Sequence, residues 1–322
     1  MTVTEADARP VVGRFAPTPS GRMHLGNVFS CLMAWLSARS SGGRMVMRVE
    51  DLDPRAQSRE AAALLMDDLR WLGLDWDEGP YYQSERGELY AAAIEGLSRR
   101  GLTYPCFCSR AELHAATAPH ASDGTYIYQG TCRGLTPAKI AERSLVRNPA
   151  TRVAVPAEGD AAGVVKLTDL CYGPYQEVLA RDCGDFLLRR SDGVVAYQLA
   201  VVVDDGEMGV TQVVRGRDLL GSAARQSWLA CELGYRPPQF GHVPLLVAPG
   251  GRRLSKRERD LDMGALRERF GRPQPLLGML AHAVGLSEQG EAISADALVG
   301  RFSWEAVARH ADDVVVSGFE LV

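Results

Sequence analysis

Two short apolar runs, Val11 to Phe15 and Met45 to Val49, bracket a helical pattern that begins near Leu25 and ends near Ser40. That spacing is the parallel βαβ unit, a strand, a crossover helix and a second strand. Parallel sheets bury both faces under helices, so this one unit commits the chain to a layered α/β fold. Between the first strand and the helix the chain reads Pro17-Thr18-Pro19-Ser20-Gly21, then His24-Leu25-Gly26-Asn27. Free backbone N–H groups and the positive end of the helix dipole converge at such a turn and make it a cradle for an anion. His24 adds a donor there, and Gly26 leaves room for a phosphate.

A second motif lies far downstream, where Pro249-Gly250-Gly251 leads into Arg253-Leu254-Ser255-Lys256. A glycine-rich loop carrying a hydroxyl and a lysine suits a mobile cationic clamp on a triphosphate. Alone, a histidine at a turn is more often structural and a basic loop more often a solvated face. Paired in one α/β chain, they read as two halves of an ATP site.

With 322 residues, 46% of them hydrophobic and 24% charged, the chain has material for a sizeable core and is neither disordered nor fibrous. The formal net charge of −4 gives no global sign of nucleic-acid binding, which needs only a local basic face. Glu5, Asp7 and Arg9 break the first ten residues, and the longest apolar run, Val194 to Val203, is interrupted by Tyr197 and Gln198. Neither a leader nor a membrane span is expected, and a cytoplasmic location is. Seven cysteines in a reducing compartment form no disulfide framework. Only Cys106, Cys108 and Cys132 cluster, and clustered thiols point to a metal. Cys31, Cys171, Cys183 and Cys231 sit in periodic or strand-like segments and read as core packing.

Further helices are expected over Ser58 to Leu72 and Glu85 to Arg100, then over Gly264 to Phe270, Pro275 to Val284, Ala295 to Arg301 and Trp304 to His310. Strand character appears at Thr151 to Val155, Val164 to Thr168 and Phe186 to Arg189. Gly193 to Val203, Gly209 to Val214 and Val243 to Ala248 return to buried strand and helix character. The expected organisation is a first half of a Rossmann-like domain over 1–103 and an inserted lobe over 104–190, with a metal site in about 104–134. A second half with the lysine loop follows over 191–258, then a C-terminal helical segment over 259–322.

The N-terminal motif, Arg48-Val49-Glu50-Asp51-Leu52-Asp53-Pro54-Arg55, the stretch Ala196-Tyr197-Gln198-Leu199-Ala200 through Asp204-Asp205, Val214-Arg215-Gly216 and Arg253-Leu254-Ser255-Lys256 occur in one order. In that order and spacing the chain resembles the class I glutamyl-tRNA synthetases over about residues 11 to 260. It stops short of their anticodon-binding domain and carries a Cys-x-Cys…Tyr-x3-Cys lobe, and so looks most like the glutamyl-queuosine tRNA(Asp) synthetases. The resemblance implies a doubly wound parallel sheet with an inserted zinc or acceptor-type lobe. It also implies activation of L-glutamate with ATP and its esterification to a hydroxyl of queuosine in the anticodon of tRNA(Asp).

Glutamate presents two carboxylates and an ammonium, so its pocket needs two cations and one anion. Arg14, Arg215 and Glu50 supply that set. By resemblance Glu50 holds the ammonium, Arg14 a carboxylate, and Arg215 with the Tyr197 hydroxyl the side-chain carboxylate, while Ala16 and Thr18 complete the glutamate site. An arginine fork offers only donors and leaves one unpaired against an amide NH2, which separates glutamate from glutamine. ATP would lie along Thr18, His24, Gly26 and Asn27 and under Arg253, Leu254, Ser255 and Lys256, with His24 and Lys256 as the catalytic pair. Asn27 stands where many synthetases carry a second histidine or glycine, and Arg253 and Arg257 flank the loop where lysine and serine are usual. Mg2+ is expected with the ATP phosphates.

The metal set is Cys106, Cys108 and Cys132, with Tyr128, His114 or His120 open as the fourth ligand from spacing; the resemblance favours Tyr128 and one structural Zn2+. Arg189, Arg190, Arg217 and the basic loop Arg252 to Arg259 are candidate RNA contacts. The alternatives are a short glutamyl-tRNA synthetase charging a 3′ end and an inactive glutamate- or RNA-binding paralogue. Nothing in the sequence demands more than a monomer.

Overall fold

The computed structural model describes residues 2–3, 9–54, 57–109, 112, 127–128, 130–251, 261–317 and 320–321. Its strands in chain order are β1 (Thr2–Val3), β2 (Val12–Phe15), β3 (Arg44–Val49), β4 (Glu78–Tyr82), β5 (Thr103–Cys106), β6 (Ala150–Val153) and β7 (Val164–Asp169), then β8 (Gly173–Val178), β9 (Phe186–Arg189), β10 (Gln212–Gly216), β11 (Gln239–Val243), β12 (Leu246–Val247), β13 (Val314–Ser317) and β14 (Glu320–Leu321). The helices are α1 (Leu25–Ser40), α2 (Arg59–Leu72), α3 (Gly87–Arg99), α4 (Pro137–Ser144), α5 (Leu179–Asp182), α6 (Tyr197–Glu207), α7 (Leu220–Glu232), α8 (Met263–Phe270), α9 (Pro273–His282), α10 (Ala295–Val299) and α11 (Trp304–Ala308).

The βαβ unit is present, with β2 and β3 parallel and in register from Val12 opposite Arg44 to Phe15 opposite Met47. Strand β4 joins β3 in parallel, and β10 and β11 form a second parallel pair. The two groups meet edge to edge, where Thr211 N donates to Val12 O at 3.0 Å and Thr211 Oγ1 accepts from Val12 N at 2.8 Å. The spatial order is therefore β4-β3-β2-β10-β11, and connections leave in opposite directions on the two sides of the β2–β10 seam. In open α/β sheets ligands bind outside the carboxyl ends of the strands at such a switch point.

Helix α1 is buried nearly all round, from Leu25, Val28 and Phe29 to Trp35, Leu36 and Ala38. An all-apolar helix needs cover on both faces. The sheet supplies one side, at close range because a Cβ at Gly13 would lie 2.7 Å from Met45 Sδ and 3.3 Å from Ala38 Cβ. The C-terminal helices supply the other: Leu276, Leu277, Leu280 and Leu298 share its core, and Trp304 Nε1 donates to Ser37 Oγ at 2.9 Å. The Ser58 hydroxyl caps α2 by accepting from Ala61 N at 3.1 Å, which satisfies one otherwise orphaned donor of the first turn.

Within 104–190 two small sheets form. β5, β6 and β9 pair antiparallel around Cys106, whereas β7 and β8 form a hairpin whose Leu167 shares a cluster with Val46, Val213 and Phe240 of the parallel strands. Strand β8 escaped the sequence reading because its Gly173-Pro174 start looks like turn chemistry. The two-residue β12 falls within the expected Val243 to Ala248, whereas its partner β13 escaped the reading because the pairing is non-local. Cys171 and Cys183 are buried as expected, but Cys231 is exposed and Cys31 lies partly open in the cleft described below.

Candidate functional site

At the carboxyl ends of β2, β3 and β10 lies a cleft of about 700 Å³. It is lined by Arg14, Ala16, Thr18, His24, Gly26, Asn27, Glu50, Tyr197 and Arg215, together with Ser30, Asp218, Leu219 and Leu245, which the sequence had not singled out. Arg253, Leu254, Ser255 and Lys256 lie outside the described residues. The described chain after them returns to the cleft: Asp262 pairs with His24 in an isolated bridge, and Met263 N donates to Met23 O at 2.8 Å.

His24 occupies the N-cap position of α1 in extended geometry, so the helix opens at the cleft with its first N–H groups directed there. A Cβ at residue 26 would touch the His24 ring at 3.4 Å from Cε1 and Nδ1, and glycine keeps that side of the ring clear. The loop after β2 is tied to the loop after β3 through Glu50 N, which donates to Pro17 O at 2.9 Å.

Arg14 is buried on β2, with Nη1 donating to Val214 O at 2.9 Å across the seam and Nε 3.9 Å from Asp205. Burial lowers its pKa from the ordinary arginine value, with Asp205 opposing the shift and Arg48 and Arg215 adding to it. Glu50 ends β3. Burial raises its carboxyl above the ordinary range while Arg48 and Arg14 pull it back.

Behind Glu50 stands Arg48, 0% exposed. Its Nη1 donates to Asp205 at 2.6 Å, its Nη2 to Glu50 at 3.3 Å, and its Nε lies 3.8 Å from Asp204. Burial alone would lower its pKa, but Asp205, Glu50 and Asp204 together raise it. Asp204 in turn accepts from Gln83, Arg86 and the Tyr90 hydroxyl at 2.8, 2.6 and 2.9 Å. A fully buried charge persists only when paired in this way.

Arg215 is 6% exposed and faces the cleft from β10. Nε donates to His242 Nε2 at 3.1 Å, Nη1 to Gln226 Oε1 at 2.8 Å and Nη2 to Leu219 O at 3.1 Å, while the Tyr197 hydroxyl lies 3.5 Å from Nη1. Tyr197 opens α6 and is 39% exposed. Sequence reasoning found Arg215 and Tyr197 but missed Gln226, His242 and Asp169. The only local signal was an isolated histidine in the apolar run Phe240 to Val243.

A separate cluster joins Cys106, Cys108 and Cys132, whose sulfur atoms lie within 4.8 Å of one another. Cys108 and Cys132 Sγ are 3.7 Å apart, and the Tyr128 oxygen is 3.6 Å from both Cys106 and Cys108. Sulfur atoms about 3.8 Å apart are what tetrahedral coordination at a Zn–S distance of ≈ 2.3 Å requires. Cys132 N donates to the Tyr128 oxygen at 2.7 Å, which suits an oxygen that acts as acceptor or ligand. Burial pushes the Cys108 thiol up to about 11. His114 and His120 lie outside the described residues.

Of the basic residues read as RNA contacts, Arg217 forms a two-bond ion pair with Asp313 at 2.6 and 2.5 Å, so its guanidinium is committed within the fold. Arg190 lies 3.7 Å from Asp53 and also pairs with Asp192. Arg189 is exposed. The loop Arg252 to Arg259 lies outside the described residues. No helix among the described residues is long and apolar enough to cross a membrane.

Residues 10–314 match the family described as tRNA synthetases class I (E and Q), catalytic domain. The chain is 47% identical over 310 residues to the glutamyl-Q tRNA(Asp) synthetase of Symbiobacterium thermophilum, covering 92% of this chain and 94% of that one. It is 47% identical over 285 residues to the protein of the same name from Nitratidesulfovibrio vulgaris, covering 85% and 86%. Among solved structures, a glutamate-tRNA synthetase from Elizabethkingia anophelis superposes with a TM-score of 0.77 at 25% identity over 96% of this chain and 68% of that one.

Proposed function

Because the chain belongs to the class I glutamate and glutamine tRNA synthetases, and within them to the glutamyl-Q tRNA(Asp) synthetases, we propose that it joins L-glutamate to AMP and passes it to queuosine in the anticodon of tRNA(Asp). It is a ligase. The observation that carries the reading is the convergence of Arg14, Glu50 and Arg215 in one cleft beside the His24 turn.

In the first step a carboxylate oxygen of glutamate attacks the α-phosphorus of ATP in line and pyrophosphate leaves. In the second a hydroxyl of the queuosine ring attacks the acyl carbon and AMP leaves. Positioning and charge neutralisation do most of this work. Glu50, anchored by Arg48, takes the substrate ammonium; Arg14 takes a carboxylate; Arg215 with Tyr197 takes the side-chain carboxylate. The α1 N-terminus, His24, Gly26 and Asn27 hold the phosphates, where Mg2+ would supply counter-charge. Lys256 meets the charge that grows on departing pyrophosphate. Lys256→Ala is expected to lower turnover by about 10²–10³ while the glutamate KM changes far less, measured as glutamate-dependent exchange of pyrophosphate into ATP. A pure affinity effect would count against the clamp.

Cys106, Cys108, Cys132 and Tyr128 fit one tetrahedral zinc, which would hold β5 to the segment around Cys132 and has no reacting role. Metal analysis of freshly purified protein is expected to find about one zinc per chain, lost in a Cys106→Ser, Cys108→Ser variant. Protein with no zinc at all would remove the site.

Mapping of the glutamylated nucleoside by digestion and mass spectrometry tests the acceptor. Glutamate on queuosine supports the reading. An ester at the 3′-terminal adenosine, formed equally on tRNA lacking queuosine, would overturn it in favour of a 3′-charging enzyme.

A further inference from the structure

Arg215 does not stand alone at the side-chain end of the glutamate pocket. In the parallel β10–β11 pair, Arg215 lies directly opposite His242, so both side chains leave the sheet on one face. His242 is 0% exposed, and Asp169, at the end of β7, is 2% exposed. His242 Nδ1 lies 2.6 Å from Asp169 Oδ2, and His242 Nε2 accepts from Arg215 Nε at 3.1 Å. The arrangement is a line of three groups, carboxylate, imidazole and guanidinium, of which only the last lines the cleft.

We propose that Asp169 and His242 are positioning residues that hold Arg215 in the one orientation able to grip a substrate carboxylate, and that they thereby set the preference for glutamate over glutamine. The proposal rests on the assignment of Arg215 to the glutamate side chain.

The chemistry of the contact fixes the tautomer. Arg215 has five N–H donors and no acceptor, so the nitrogen facing its Nε must carry a lone pair. That places the imidazole proton on Nδ1, where Asp169 accepts it. A protonated ring would turn an N–H toward the guanidinium and break the line. Burial favours the neutral ring against the pull of Asp169 and of the Leu219 backbone, and Arg215 disfavours a second cation nearby. The face of the guanidinium rests on Phe240, whose centroid is 5.2 Å from Arg215 Cζ, and Phe240 stacks on His242 at 6.0 Å and 13°. With Nε held by His242, Nη1 by Gln226 and one N–H of Nη2 by Leu219 O, one N–H has no partner among the described residues. A second makes only the 3.5 Å contact to Tyr197. Those two, one on each terminal nitrogen, are the pair a carboxylate takes in bidentate fashion.

Asp169 cannot be replaced by its amide without consequence. Oδ1 accepts from Cys171 N and Tyr172 N at 3.0 Å each, while His242 N is shared between Oδ1 at 3.2 Å and Oδ2 at 3.1 Å; the two unshared donors fix the oxygen of an asparagine at that position and turn its NH2 toward His242 Nδ1. The imidazole then has to accept at Nδ1 and carry its proton on Nε2, against the Arg215 N–H. A wrong tautomer in unchanged geometry disables a histidine whose role depends on which nitrogen bears the proton.

The test uses pyrophosphate exchange with the full chain in three variants. In Asp169→Asn the glutamate KM is expected to rise at least about tenfold, with the ATP KM held and the glutamate-to-glutamine preference reduced, the loss of a hydrogen bond to a charged group. His242→Gln, which returns an acceptor near the lost Nε2, is expected to stay closer to wild type than His242→Asn, which keeps the Asp169 contact and loses the acceptor. Nitrogen-15 NMR should show the His242 ring of wild type protonated at Nδ1, its resonance identified by its loss in His242→Gln. Wild-type protein without glutamate-dependent exchange would reject the function itself. Exchange in wild type combined with an unchanged glutamate KM in Asp169→Asn and His242→Asn, or an Nε2-protonated ring in wild type, would reject the positioning pair. Should Asp169→Asn fail to fold, the two His242 variants and the wild-type tautomer still decide.

Discussion

Arg215→Ala is expected to raise the glutamate KM by about 30-fold to several thousand-fold while ATP binding stays near wild type. The range corresponds to the 2–5 kcal/mol typical of truncating one partner of a buried, hydrogen-bonded charge pair. Two effects add. The substrate carboxylate loses its bidentate partner, and His242 Nε2, Gln226 Oε1 and Leu219 O lose the donor that satisfied all three. Arg215→Lys keeps the charge but not the fork: one ammonium cannot hold His242 and Gln226 and also present two parallel donors. Its glutamate KM is expected between wild type and alanine, with most of the selectivity against glutamine gone. Titrating glutamate and ATP separately in the exchange assay measures both. Equal glutamate KM in wild type and Arg215→Ala would remove Arg215 from the substrate site, whatever its distance to Tyr197.

The difference between what the sequence disclosed and what it hid follows from the range of each interaction. The strand, turn and helix over 11–40 were legible because their determinants are local: period, proline and glycine punctuation, and one apolar helix. Helix α1 runs over the expected residues, and α2 begins one residue past its expected start. Glu50 and Arg215 were legible because a substrate with two negative groups and one positive group sets a small charge inventory. The supports of those charges were not. Asp169 and His242 are 73 residues apart, and Arg48 and Asp205 are 157 apart. Neither pair leaves a local pattern. What makes them partners is that β7, β10 and β11 end at one level and that β3 passes under the last turns of α6. The same reason explains Arg217, whose partner Asp313 is 96 residues away. Read alone it is an exposed cation available to RNA, whereas in the fold it closes an ion pair with the residue just before β13.

Arg48→Met is expected to destabilise the whole protein by about 3–5 kcal/mol, because it removes the cation that Asp204, Asp205 and Glu50 share. Methionine fills much of the volume, so the loss is electrostatic rather than a cavity effect. Of the three acids, Asp204 retains Gln83, Arg86 and Tyr90, whereas Asp205 loses its 2.6 Å partner and Glu50 its 3.3 Å one. The destabilisation therefore falls on Asp205 and Glu50. Its pH dependence has a definite sign. In the native protein Glu50 is already above the ordinary carboxylate value through burial, with Arg48 the first group pulling it down. Without Arg48 the folded-state pKa rises further, so the penalty is complete where the carboxyl is ionised and is relieved as pH falls through that raised value. The gap in stability between wild type and Arg48→Met should accordingly narrow on acidification, down to the pH at which the remaining ion pairs fail. Denaturant midpoints at neutral and mildly acidic pH measure this, with equal slopes required for the comparison. Adding Asp205→Asn to Arg48→Met should recover part of the loss, since it neutralises the acid that keeps only the 3.9 Å contact to Arg14, whereas two independent surface changes would simply add. A midpoint shift worth less than about 0.5 kcal/mol, the range of ordinary surface substitutions, would mean that water or a neighbouring cation replaces Arg48. Glu50 would then be held in place by the chain alone.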